Sequence, residues 1–446
     1  MHTDATALGL PWAIPFVGLL LTLALCPPIF PSFWISNYGK IILFWVLTTI
    51  APLVACFGLD ATLYQILNLL IGNYIPFIIL ISTLFAIAGG IHIDLNFRGA
   101  PNQNVILLAC GAFLASIVGT TGASMLLIRP LIRANLSRTH KSHVIIFFIF
   151  VVANIGGGLS PLGDPPLFLG FLRGVHFWWP LLNLWLPFLV TLAIIFLIFY
   201  AYDCARYYNE RENGSDCQPF KISISGKVNL LLLALLIATV MLAKILIPDS
   251  NNYIYFQDLK GSTVAISIIL LGILLLSILS TPKYIYEDNQ FEWAPMTEVA
   301  KVFAGIFVTI MPVLAMLRVG PQGAFAEVLS LLHTPDGQPN AAMYFWLSGG
   351  LSSFLDNAPT YLVFFNAAGG DSKLLMENES LTLVAMSAGA VFMGANSYIG
   401  NAPNLMIKAV AEHHGIKMPS FIGYLGCSVL VLMPTFYFLS WLFFAR

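Results

Sequence analysis

The sequence has 446 residues, a formal net charge of −1, 58% hydrophobic residues and only 9% charged ones. About a quarter of the residues in a soluble globular chain are charged, so this composition excludes a water-facing surface of ordinary polarity. The near-zero charge excludes a nucleic-acid footprint.

Apolar runs of about 20 residues, enough to cross about 30 Å of hydrocarbon as helix, recur along the chain and predict an all-α polytopic membrane protein. The N-terminal "MHTDATALGLPW" has no basic region ahead of its apolar run, so a cleaved signal peptide is not expected. Spanning helices are predicted over 9–30, 40–57 and 66–92. The stretch 104–132 is apolar but carries "SIVGTTGASM" at its middle, which suits a helical hairpin turning back inside the membrane better than a straight span. The stretch 143–172 begins as "HVIIFFIFVVAN" and then breaks at "GGGLSPLGDPPLFLGFL", with three prolines and one aspartate, Asp164. Such irregular backbone is tolerable at membrane depth only where protein buries it or a wet cavity adjoins it.

A span over 177–202 follows, opened by the interfacial aromatic belt "FWWP". The polar segment 203–227, "DCARYYNERENGSDCQPFKISISGK", reads as a cytoplasmic linker. Spans at 228–247, 262–281 and 298–317 come next. A second hairpin is predicted over 341–367, with "SSFLDNAPTY" at its middle, then a second broken helix over 380–411 and a last span over 420–444. With both hairpins re-entrant and the linker inside, fourteen of the 20 lysines and arginines fall on the cytoplasmic side, the direction of the positive-inside rule. Both termini then lie outside. Arg129 and Arg133, spaced i, i+4 after the first hairpin turn, read as snorkelling to the cytoplasmic face. The six cysteines show neither tight pairing nor metal-ligand spacing and read as free thiols. His92, His176, His413 and His414 sit at span ends and form no ligand cluster.

Shifting the chain by 237 residues superposes Gly157, Ser160, Gly163 and Pro166 on Gly394, Ser397, Gly400 and Pro403. The same shift brings Asp164 onto Asn401 and Ser116 onto Ser353. Two repeats are therefore expected, 9–202 and 228–444, each with five spans and one hairpin. Five is odd, so the second repeat must be inverted. Inverted repeats with broken helices in matching places are the signature of secondary transporters.

Breaks offer half-helix N-termini to anions, and unwound carbonyls to cations. Hard cations such as Na⁺ take oxygen ligands. The candidate first site comprises Thr120, Thr121, Ser160 and Asp164. The second comprises Asp356, Asn357, Thr360, Asn396, Ser397, Asn401 and Asn404. Asp164 and Asp356 are the acidic residues inside the interrupted segments, where an ionisable group costs at least about 2.5–3.5 kcal/mol and marks an ion or proton path. A buried carboxylate can trade a proton for Na⁺. The bland alternatives stay open: a cap or turn for either aspartate, and back-bonding to helix carbonyls for the Ser and Thr hydroxyls.

The segments "TTGASMLLIRPLIRANL", "NIGGGLSPLGDPPLFLGFLRGVHFWW", "SSFLDNAPT" and "GANSYIGNAPNLMIKAVA" together resemble the ion transporter superfamily. It includes NhaD-type sodium/proton antiporters, arsenite permeases and citrate or dicarboxylate transporters. The first two segments are most similar to its bacterial antiporter and citrate-transporter branch. The resemblance covers roughly 65–445 and implies that two hairpins and two broken helices form the site, in a homodimer in a bacterial inner membrane. The Ser-Asn-Thr signature typical of dicarboxylate carriers is absent from both tips, which read Gly119-Thr120-Thr121 and Asp356-Asn357-Ala358. Sodium/proton antiport, with Na⁺ at Asp164 and Asp356, is the leading expectation. A citrate-type organic-anion carrier and an arsenite efflux permease are the alternatives. No H-E-x-x-H or comparable enzyme motif occurs.

Overall fold

The computed structural model describes residues 8–96, 99–208, 221–246 and 261–445. In chain order, a short 3₁₀ turn leads into α1 (Ile14–Ile29), followed by α2 (Pro31–Phe57) and α3 (Leu59–Leu69). A π-turn at Leu70–Tyr74 joins α3 to α4 (Ile75–Gly89). Pro76 has no N–H for the turn below it, which accounts for the local unwinding. Next come β1 (His92–Asn96), the pair α5 (Pro101–Val118) and α6 (Thr120–Ala134), then α7 (Ser142–Val151), α8 (Pro165–Arg173) and α9 (Trp179–Tyr208). After β2 (Lys221–Ser225) the chain forms α10 (Lys227–Leu246), α11 (Gly261–Ser280), α12 (Lys283–Asp288), α13 (Ala294–Thr309), α14 (Met311–Arg318) and α15 (Ala326–Leu331). The last part holds α16 (Ala341–Ser352), α17 (Asn357–Ala367), α18 (Ser372–Glu377), α19 (Ser380–Phe392), α20 (Ala402–His413) and α21 (Phe421–Phe443).

Among the described residues, 8 helices are long and apolar enough to cross a membrane, or 9 if the bent pair α13–α14 is one span. The hydropathy pattern predicts ten. The 8 include α5, an arm of the predicted first hairpin, and leave out three predicted spans: 228–247, of which Lys227–Leu242 is a shorter apolar helix, the bent 298–317, and 380–411, where interruption leaves α19 and α20 too short to cross alone. The span predicted at 298–317 is not straight: it bends by 41° between α13 and α14, where Pro312 is the second residue of the second helix.

The chain also departs from pure α. β1 and β2 pair antiparallel from His92↔Ser225 to Asn96↔Lys221, a ribbon with no precursor in the hydropathy pattern. Part of the ribbon falls within the predicted linker 203–227. Helix α9 runs on to Tyr208 and 221–225 is strand, while 209–220, with Cys217, lies outside the described residues. The five described cysteines are free.

Burial separates inner from outer helices. Every residue of α7 from Val144 to Val151 is buried, and so is every residue of α19 from Thr382 to Phe392. Helix α2 buries only Trp34, Ile42, Thr49 and Leu53. A helix apolar all round belongs in the centre of such a protein. Its outer neighbours expose large apolar side chains such as Ile35, Leu279 and Leu430, as lipid-facing helices do. The two interrupted segments therefore run through the middle, where α19 packs on α16 and the turn after α7 packs on α5.

Candidate functional site

The first interrupted segment leaves helical geometry after Val151. It makes a 3₁₀ turn over Ile155–Leu159, extends at Ser160 (φ −146°, ψ 160°) and is extended again at Asp164 (φ −143°, ψ 144°) before α8 begins. The second does the same: a 3₁₀ turn over Met393–Asn396, extended backbone at Ser397 (φ −138°, ψ 166°) and at Asn401 (φ −147°, ψ 142°), then α20. Each loop folds back on itself so tightly that only glycine fits. A Cβ on Gly163 would lie 2.3 Å from the Gly157 carbonyl oxygen, and one on Gly400 would lie 2.5 Å from that of Gly394.

The hairpins fasten these loops. Helices α5 and α6 turn on Gly119 alone, in the left-handed region at φ 82°. Ser116 Oγ donates to the Gly156 carbonyl (2.5 Å), Ser160 Oγ donates to the Ser116 carbonyl, and Leu162 N donates back to Ser160 Oγ (3.0 Å). The Thr120 amide reaches the Gly163 carbonyl at 2.8 Å. In the second pair Ser353 Oγ donates to the Met393 carbonyl (3.2 Å), Ser397 Oγ to the Ser353 carbonyl (2.5 Å), and Ile399 N to Ser397 Oγ (3.2 Å). Each of these three bonds repeats its counterpart 237 residues earlier. Ser160 and Ser397 thus hold the loops to the hairpins, and their hydroxyls are committed to backbone partners. Thr360 back-bonds to the Asp356 carbonyl (3.2 Å).

Asp164 is the hub. Its side chain is 1% exposed and does not cap α8, whose first residues are Pro165 and Pro166. Its Oδ1 accepts from Thr120 Oγ1 (3.0 Å) and Asn401 Nδ2 (3.2 Å), and its Oδ2 accepts from Asn357 Nδ2 (2.7 Å). The donors come from the first hairpin, the second interrupted segment and the second hairpin. The two predicted donor sets thus meet: Asn357 and Asn401, placed in the second, bond the carboxylate of the first.

Asn357 is oriented by Ser352 Oγ, which donates to its Oδ1 (2.6 Å). Asn401 Nδ2 also donates to the Ala153 carbonyl (3.0 Å). Asn404 Nδ2 donates to the carbonyls of Gly394 (3.0 Å) and Ser397 (2.9 Å), while its Oδ1 accepts from Asn154 Nδ2 (2.8 Å). Asn154 Oδ1 is buried without a hydrogen-bond partner, as is Asn396 Oδ1, although Asn396 Nδ2 donates to Ser353 Oγ (2.8 Å).

Asp356 is half-buried, and its Oδ1 accepts from the Ala358 amide (3.2 Å) at the start of α17. Thr121 is half-buried and is not among the groups bonded to Asp164. Residue pattern alone does not single out Asn154 or Ser352. The signal for Asn154 is its isolation, as the single amide ending the apolar run "HVIIFFIFVVAN".

Thr120 opens α6, Asp164 precedes α8, Asn357 opens α17 and Asn401 precedes α20. Four helix N-termini therefore meet at one carboxylate. No lysine or arginine forms an ion pair with Asp164 or Asp356 among the described residues. Nor do three or more His, Cys, Asp or Glu side chains gather there. The chemistry available is a carboxylate, amide and hydroxyl groups, and helix dipoles, which suits a proton or hard cation together with an anion.

A family model described as "Putative citrate transport" matches residues 5–444. No curated protein matches the sequence.

Proposed function

The chain belongs to this citrate-transport family of the ion transporter superfamily, a family of membrane transporters and not of enzymes, and from that membership we propose a secondary transporter that carries a small citrate-class anion coupled to a cation taken at Asp164. The observation that carries the reading is the meeting of four helix N-termini through the hydrogen bonds of Asp164 with Thr120, Asn357 and Asn401. Each N-terminus is equivalent to roughly half a positive charge, so four together supply the field that an arginine clamp supplies elsewhere. Asp164 lies in that field. A proton or Na⁺ on its carboxylate neutralises it and frees the Thr120 hydroxyl and the Asn357 and Asn401 amides for a substrate carboxylate. Anion and cation then bind together, which is coupling.

The bonds that recur at a spacing of 237 support two repeats, 9–202 and 228–444, related by inversion about the 203–227 connection. Asp164 is sealed from solvent, which favours alternating access in which the hairpin tips move relative to the interrupted segments. A bacterial inner membrane and a homodimer are the setting this reading takes.

Sodium/proton antiport without an organic substrate is the second reading. It is favoured by the oxygen-only donors and by the lack of a basic side chain paired with either aspartate among the described residues. Purified protein in lipid vesicles separates the two. The expected result is accumulation of radiolabelled citrate under an imposed proton or Na⁺ gradient, lost in Asp164→Asn. A Na⁺-driven change of internal pH with no citrate flux overturns the carrier reading in favour of antiport.

A further inference from the structure

The far ends of two helices that build the Asp164 cluster enclose a second polar feature. Helix α6 begins at Thr120 and reaches Arg129 about 14 Å away at 1.5 Å per residue, and α20 ends at His413, just before His414. Arg129, Arg133 and His414 line a cavity of about 150 Å³ together with His92, on β1, and Asp288 and Gln290, which lie before α13. Both arginines, read in the sequence as snorkelling, thus flank a hollow, with Arg133 exposed at its rim.

Arg129 is under-satisfied there. Its Nε is buried with no hydrogen-bond partner, and its one guanidinium contact is from Nη2 to Gln290 Oε1 at a long 3.4 Å. Arg133 makes a loose pair with the exposed Asp94 at 3.4 Å. His92 Nδ1 is tied to Asn289 Oδ1 (2.9 Å) and His414 Nδ1 to the Val410 carbonyl (2.8 Å), so Nε2 is the nitrogen each imidazole has left. Asp288 is the one carboxylate in the lining and is exposed. Asp94 offsets Arg133 from the rim, so Arg129, which pairs with no carboxylate among the described residues, is the cation left facing the hollow.

We propose that this cavity binds a small polycarboxylate anion between Arg129 and Arg133. Guanidinium groups take carboxylates bidentately. Side chains one helical turn apart have Cβ atoms about 5–6 Å apart, so each guanidinium can take a different carboxylate of one polycarboxylate molecule. The volume lies below the roughly 300 Å³ at which drug-sized sites begin, so the ligand is small. Because the walls come from α6 and α20 on one side and from the β1 and 288–290 segments on the other, a bound anion ties the helices leading to Asp164 to their surroundings. It is a holding site distinct from the transport centre. That its ligand is also the cargo rests on the carrier reading above; the site itself does not.

The test uses full-length protein in detergent, with diethyl pyrocarbonate labelling of histidines mapped by mass spectrometry. Citrate is expected to slow labelling of His92 and His414 at least fivefold, to leave His176 unaffected, and to do so equally in wild type and Asp164→Asn. Inorganic phosphate at the same concentration is expected to protect less, and high salt to weaken the protection. Arg129→Gln and Arg133→Gln are expected to abolish it, each checked for an unchanged gel-filtration profile. Equal labelling of the wild type in citrate and in chloride overturns the proposal, as does protection that survives loss of both arginines. If vesicles carry no citrate while protection persists, the carrier reading fails and the holding site stands. Citrate flux without protection sinks the holding site and leaves the carrier reading intact.

Discussion

Asp203→Ala is expected to destabilise the protein severely without touching the proposed transport centre. The Asp203 side chain is fully buried near the end of α9, where Oδ1 lies 2.5 Å from Arg138 Nη2 and 2.9 Å from His143 Nε2, and Oδ2 accepts from Asn104 Nδ2 at 3.1 Å. Arg138 itself is 3% exposed at its side chain and also donates to the Gly99 carbonyl and Asn135 Oδ1. Through this knot the start of α5, the end of α6, the start of α7 and the end of α9 are clamped together. Removing one member of a buried ion pair costs about 3–5 kcal/mol, because the surviving charge keeps its desolvation penalty. With an unfolding entropy of about 2.1 cal/mol/K per residue over 446 residues, that loss lowers the melting temperature by on the order of 3–5 °C. The assay is melting of purified variants followed by fluorescence-detected gel filtration. Arg138→Gln should cost a similar amount, and the double substitution Asp203→Ala/Arg138→Gln much less than the sum of the two. A fall below about 1 °C for Asp203→Ala, or strictly additive single effects, refutes the assignment of a clamp.

Asp164→Glu keeps the charge but lengthens the side chain by one methylene in a fully packed site. It is expected to retain weak coupled uptake that Asp164→Asn lacks, as measured by gradient-driven flux in vesicles. Ser160→Ala and Ser397→Ala each strand a backbone carbonyl that the hydroxyl satisfied. Each should cost about 1–3 kcal/mol of stability while the apparent affinity for the coupling cation stays unchanged; a selective loss of cation affinity would restore these serines as ligands. Asn154→Leu removes the donor to Asn404 Oδ1 and the unpartnered buried oxygen together. It should leave the fold standing and lower the uptake rate at least tenfold. Gly163→Ala and Gly400→Ala force the two loops apart by overlap with the Gly157 and Gly394 carbonyls and are expected to abolish uptake, with near-normal surface expression of at least one of them.

The parts of the architecture legible from the residues are those in which backbone chemistry overrides hydropathy. Gly119 within an apolar run marks the first hairpin turn, and the glycines and prolines from Gly156 to Pro166 mark the break, because no helix or lipid-exposed strand accommodates them. Local spacing carries no information about partners far along the chain. The ribbon of His92–Asn96 with Lys221–Ser225 joins segments more than a hundred residues apart, and neither alternates clearly enough to announce a strand. The Asp203 clamp is hidden for the same reason: a carboxylate beside a polar stretch looks solvated until Arg138 and His143 are brought to it. Within the site, residue type indicates oxygen donors but not their allegiance. Ser160 and Thr120 are equally plausible ligands by composition, yet one fastens a loop and the other reaches Asp164. In irregular backbone no period fixes which way a side chain points.

Asp164 and Asn401 occupy equivalent places in the two interrupted segments and touch at 3.2 Å. At that separation two acids could stay in contact only by sharing a proton, and two amides would carry no ionisable group. The mixed pair lets an amide donate to a fully ionised carboxylate. The two segments thus follow one backbone course yet differ in charge where they touch, and the carboxyl at that point belongs to the first alone.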